Sequence, residues 1–149
     1  MTSPIVYDKA KYHFDGKFPI DLPREQAYIH TGMYLGWIID NNLCSEEFKN
    51  ETIDEILQFK QKEITGTQIY ISWDGALVDD MLNDEANAFS AYYFDFEKGQ
   101  YLHDYEELLA KDLESLYHVK DSWENYYTLK SRIDERFREW KTLKLNYRI

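Results

Sequence analysis

The chain has 149 residues, 44% hydrophobic and 30% charged, a balance too apolar for a disordered chain and too polar for a membrane protein. Its 28 acidic and 17 basic residues give a formal charge of −11, a field that repels nucleic acid and anionic lipid and attracts cationic partners. These figures argue against a direct nucleic-acid binder and for one soluble globular domain over residues 1–149, with residues 1–21 forming an arm packed on a helical core.

In chain order, the arm mixes Pro4, Gly16 and Pro19 with Tyr7, Tyr12, Phe14 and Phe18, which predicts ordered irregular structure with a helical turn around Tyr7 to Tyr12. Met1-Thr2-Ser3-Pro4 lacks a basic start followed by an apolar stretch, so no export signal is read there. Asp21 stands at an N-cap position with Pro23 in the first turn, predicting a helix over 22–41. Its apolar positions run nearly all round, as in a central helix, and Gly32 and Gly36 leave a flat strip for close approach by another helix. The longest uncharged run, Gln26 to Ile39, has 14 residues, whereas a membrane span needs about 20.

Ser45 caps a predicted helix over 46–64, with Glu46 and Glu47 in its first turn. Gln68 to Trp73 alternates like a strand, yet equally fits one and a half helical turns capped by Thr65 or Thr67. As a strand it would pair with Ile5-Val6-Tyr7 or with Leu116 to Val119. Asp74-Gly75 is a turn, Asp79 or Asp80 starts a short helix through Leu82, and Asn83 caps a helix over 84–96. Further helices are predicted over 101–113 and 121–142, the last capped by Asp121 with Glu124 completing a capping-box variant. The fold class is therefore mainly α, a single compact domain of five to six helices with at most a minor strand pair.

Catalytic signatures are missing. Cys44 is the single cysteine, so it forms no internal disulfide and suits a reducing cytoplasm. The six glycines are too scattered for a phosphate-cradling loop, and no H-E-x-x-H or G-x-S-x-G occurs. His103 and Glu107 share a helix face at i, i+4 and form the best metal pair, but a third ligand would have to come from elsewhere. His30, spaced with Tyr34 and Trp37, reads as a structural histidine; His13 and His118 have no ligand neighbour except Asp121, assigned to capping. The expectation is no catalytic residue, no metal and no cofactor, and a protein that is not an enzyme.

Charge placement is more informative. Residues 74–114 hold 12 acidic and 2 basic residues, whereas 115–149 hold 5 acidic and 8 basic. The acidic stretch is also rich in aromatics, and carboxylates around aromatic anchors suit the capture of a basic protein. The candidate binding surface comprises Trp73, Asp74, Asp79, Asp80, Asp84, Glu85, Asp95, Glu97, Tyr101, Asp104, Glu106 and Glu107. Individually, Asp79, Asp80, Asp84 and Glu85 also suit helix N-termini, and aromatics at helical spacing suit a core. The excess of 12 over 2 exceeds what helix ends need, because crowded like charges repel one another.

Several strings carry a resemblance: His13-Phe14 through Gly16-x-Phe18-Pro19 to Asp21-Leu22-Pro23, then His30 to Trp37, Thr65-Gly66, Asp80 to Asn83 with Ala86 to Phe89, and Asp121 to Tyr126. Over roughly residues 7–141 the chain resembles a bacterial family of small acidic cytoplasmic proteins of uncharacterised function. Its members look like those encoded beside secreted polymorphic or contact-dependent toxins. The resemblance implies a cognate immunity protein, here expected to bind a toxin domain, often a basic nuclease; the charge and composition argue separately against nucleic-acid and membrane partners. A regulatory or interaction module without a toxin partner, or an enzyme whose site is assembled across helices, stands as the alternative.

Overall fold

The computed structural model describes residues 3–146, so Met1 and Thr2, where the export-signal reading and the arm begin, lie outside the described residues. The chain opens with strand β1 (Val6–Lys9), helix α1 (Ala10–Phe14) and a 3-10 turn (Arg24–Tyr28), and continues into α2 (Ile29–Asp40). Then come α3 (Glu46–Glu51), α4 (Ile53–Lys60), α5 (Gly66–Ser72), β2 (Ala76–Val78) and a 3-10 turn (Asp79–Met81). The second half holds α6 (Asp84–Tyr93), α7 (Tyr101–Tyr105), a π-helical turn (Glu106–Ala110), a 3-10 turn (Leu116–His118) and the long α8 (Trp123–Asn146). The mainly α class holds, with eight α-helices among the described residues and one two-stranded antiparallel sheet.

The extra helices come from breaks that periodicity does not reveal. The helix expected over 22–41 starts as a 3-10 turn with Pro23, not Asp21, at its N-cap. The one expected over 46–64 is cut at Thr52, whose buried hydroxyl donates to the Phe48 carbonyl (2.6 Å) and bends the chain. It ends at Lys60, because Lys62 turns left-handed (φ 62°). Gln68 to Trp73 resolves as helix, since Thr65 and Gln68 form a capping box. The strand paired with β1 is Ala76–Val78, and Leu116–His118 is a 3-10 turn, so neither suggested strand pairing forms. Helix α6 stops at Tyr93, and α8 is capped by Ser122, whose Oγ accepts from the Asn125 N–H (3.1 Å), while Asp121 instead takes the hydroxyls of Thr65 and Thr67.

Helix α2 is the axis of the core, buried from Ile29 through Ile39. Gly32 and Gly36 let α5 come into backbone contact at Gly66: a Cβ on Gly66 would lie 2.9 Å from the Gly36 nitrogen. On another flank α8 inserts Tyr126, Leu129, Ile133, Phe137 and Trp140, and the Trp37 indole N–H donates to Asp134 (2.8 Å). One hydrophobic cluster joins α2, α5, α6, α7 and α8.

Candidate functional site

Two features stand out from the packed helices, an acidic notch at the surface and a buried polar cluster. At the notch, the 3-10 turn Asp79–Met81 is held against the α3 N-terminus by two bonds. The Ser45 N–H donates to the Met81 carbonyl (3.0 Å), and the Ser45 hydroxyl donates to the Asp80 carbonyl (2.7 Å). That junction aligns Glu47 and Glu51 of α3 with Asp80 around a recess of about 40 Å³ floored by Phe48, Trp73 and Met81. The Trp73 ring is half-buried, 4.8 Å from the Phe48 ring. Glu47, Glu51 and Asp80 are exposed, and among the described residues no Lys, Arg or His pairs with them.

The sequence-predicted surface is divided by the fold. Asp80 and Trp73 meet at the notch; Asp84 and Glu85 follow at the exposed start of α6, whose N-cap Asn83 accepts the Ala86 N–H. Asp79 is half-buried, and Asp74 lies exposed in a left-handed turn (φ 61°). Asp95 accepts the backbone N–H groups of Glu97 and Lys98, which hold its carboxyl below the usual range and make it a turn-closing residue, while Glu97 and Glu106 are exposed.

Two of the expected binding residues need correction, and a third is already paired within the chain. Tyr101 is fully buried, its hydroxyl donating to the His30 carbonyl, so it is a core residue and no anchor for a partner. Asp104 is fully buried too, gripped by Arg132 (2.9 Å), by Arg136 (2.9 Å) and by the Tyr93 hydroxyl (2.8 Å). Burial alone would raise its carboxyl, but the bonds from Arg136, Tyr93 and Arg132 outweigh it and the net direction is down. Glu107 is exposed but already answered by Arg132 (2.8 Å). Part of the acidic excess thus serves to dock the basic α8. Sequence reasoning missed Glu47, which looked like an ordinary first-turn helix residue, and Glu51, which drew no reading; the available signal was a like-charged i, i+4 pair, which a helix does not favour.

The buried cluster gathers residues from β1, α1 and α2. A bulge between Val6 and Asp8 in the β1–β2 register turns Asp8 into the core. There Thr31 donates to its Oδ2 (2.6 Å), and His13 Nε2 lies 2.9 Å from its Oδ1. His30 Nε2 is 3.1 Å from His13 Nε2 and 3.6 Å from Asp8 Oδ2. The Tyr117 hydroxyl bonds His13 Nδ1 (2.7 Å), and the Gln26 amide secures that segment through the carbonyls of Tyr117 and Val119. Burial lowers the His30 pKa to about 4; Asp8 opposes that shift and His13 reinforces it. Among the described residues this is the one group of three or more His, Cys, Asp or Glu side chains with convergent ligand atoms. In sequence His13 has no acidic neighbour at ligand spacing, and His30 reads as structural alone. Asp8 escaped notice because the i, i+5 spacing crosses a strand-to-helix corner, which no regular period describes. His103, the expected metal residue, is exposed and gathers no third ligand among the described residues.

Fold and surface together define a small mainly α protein with an acidic notch and a buried polar cluster. The chain belongs to the DUF7832 family, a domain of unknown function whose profile matches residues 6–119. No curated protein and no solved structure matches it. The matched segment contains both the notch and the buried cluster, while α8 lies beyond it. No helix among the described residues is long and apolar enough to cross a membrane.

Proposed function

We propose that this protein is an immunity protein that binds a basic toxin domain in the cytoplasm and neutralises it by occlusion rather than by catalysis. The observation that carries this reading is the notch, in which three carboxylates without ionic partners among the described residues line a recess floored by Phe48, Trp73 and Met81. The recess, about 40 Å³, has room for a group the size of an ammonium head, since about 10–15 Å³ suffices for one water. A lysine approaching there would meet carboxylates from α3 and from the 3-10 turn, and would lay its methylene stem on the Trp73 ring. Asp79, Asp84 and Glu85 extend the negative field and would speed encounter.

The test is co-purification with the product of the adjacent gene, followed by binding kinetics. Replacing Glu47, Glu51 and Asp80 together by lysine should reduce the association rate at least about tenfold and abolish protection of cells, with the helical spectrum unchanged. Trp73→Ala should act on dissociation, weakening binding by about 2 kcal/mol. Wild-type association by the triple-lysine variant would overturn the proposal.

A further inference from the structure

We propose that Asp8, His13 and His30 form a binding site for one divalent transition-metal cation of the zinc class, held by the Nε2 atoms of both imidazoles and by the Asp8 carboxylate. This goes beyond the toxin-binding reading and does not depend on it. Geometry comes first. With ligand bonds of 2.0–2.1 Å, the atoms of a tetrahedral zinc site stand about 3.3 Å apart. With Asp8 Oδ2 as the carboxylate ligand, the donor atoms are separated by 3.1 Å (His13 Nε2 to Asp8 Oδ2), 3.1 Å (His13 Nε2 to His30 Nε2) and 3.6 Å (His30 Nε2 to Asp8 Oδ2), so small shifts would accommodate an ion.

Proton placement supplies an independent argument. His30 Nδ1 is buried without a hydrogen-bond partner among the described residues, while its Nε2 faces His13 Nε2. When the His13 Nε2–H donates to Asp8, a proton on His30 Nε2 would set two donors against each other. The proton of neutral His30 therefore stays on Nδ1 without an acceptor, and a bare Nε2 lone pair points inward, the form in which imidazole binds a metal. The low pKa of His30, set by burial, agrees with a neutral ring. On metal binding, the His13 proton moves from Nε2 to Nδ1, where it meets the Tyr117 hydroxyl; that hydroxyl gives or accepts and so pairs with either tautomer.

The surroundings complete the pattern. Thr31 orients the carboxylate and Tyr117 orients His13, as outer partners do around metal ligands. Phe96, Tyr105 and Tyr117 wall the two imidazoles with aromatic rings. The His13 side chain, 13% exposed, is the edge by which an ion or an exchangeable fourth ligand would enter. Two imidazoles and one carboxylate suit zinc, nickel or cobalt better than calcium or magnesium, which favour all-oxygen sites.

The test is calorimetric titration of the chelator-treated full chain with Zn²⁺, with Co²⁺ absorption as a second probe. One equivalent should bind, with the intense visible bands of a four-coordinate cobalt site. His13→Gln should weaken binding at least about tenfold and Tyr117→Phe about tenfold, whereas His103→Ala should leave it unchanged. Because His13→Gln could disturb the fold, the wild-type histidine ring resonances supply a second readout: those of His13 and His30 should shift with one equivalent of Zn²⁺, while those of His103 and His118 stay in place. Absence of stoichiometric uptake, uptake unaffected in His13→Gln, or shifts confined to His103 and His118 would overturn the proposal and leave a proton-bonded structural cluster.

Discussion

His30 shows how one buried side chain can make stability depend on pH. Its folded pKa of about 4 lies below the ordinary 6.5, chiefly through burial, so between those values the unfolded chain binds more protons than the native one. The contribution is fully present above pH about 6.5 and is lost as pH falls toward about 4, to a total of roughly 3 kcal/mol. Asp8, His13, Tyr105 and Tyr117 face this ring, and the Asp8 carboxylate limits the shift. Urea unfolding of the chelator-treated protein at pH 7 and pH 5 should show lower stability at pH 5, and His30→Gln should flatten that difference. Equal stability of the wild type at both values would contradict the assignment.

At the scale of elements, two contacts set how the helices meet. Helices α2 and α5 touch backbone to backbone: a Cβ on Gly32 would stand 2.7 Å from Thr67 Oγ1 and 2.9 Å from Thr67 Cβ. Gly32→Ala should therefore push the helices apart and destabilise the protein by about 2 kcal/mol in chemical denaturation. Gly16→Ala, whose nearest contact would be 3.3 Å from the exposed end of α1, should change far less. Helices α7 and α8 are joined by Asp104 with Arg132 and Arg136. Asp104→Ala would leave Arg132 with Glu107 and Arg136 with Glu139 alone and would strand the buried Tyr93 hydroxyl, and should reduce stability by about 2 kcal/mol at pH 7. Since the folded carboxyl is depressed, its contribution is present above the ordinary carboxylate range and fades as pH falls through the depressed value, a loss that acid titration of the variant should lack.

For the molecule as a whole, α8 closes the core although the family profile ends before it. Its Tyr126, Leu129, Ile133, Phe137 and Trp140 cover Trp37, Phe59 and Phe89. A chain ending at Asp121 should lose its cooperative unfolding transition and bind hydrophobic dyes; a sharp transition in that fragment would show that residues 1–121 fold alone.

Much of this organisation was legible in the sequence, because local chemistry decides it. Helical spacing of Phe89 and Tyr93, the caps at Ser45 and Asn83, the all-round apolar character of α2 and the Gly32–Gly36 strip each depend on neighbours a few residues away. The negative charge around residues 74–114 was legible for the same reason. Which carboxylates face solvent was not: Asp104 and Glu85 look alike in sequence, and only the arrival of two arginines from α8, 28 and 32 residues downstream, makes one a buried core group. Nor does any local pattern join Asp8, His13 and His30, since the bulge in β1 and the packing of the arm on α2 bring them together. Sequence determines what each segment prefers within a turn or two of chain; burial, pairing and convergence belong to contacts between distant segments, and those decided where this protein keeps its free charge and its histidines.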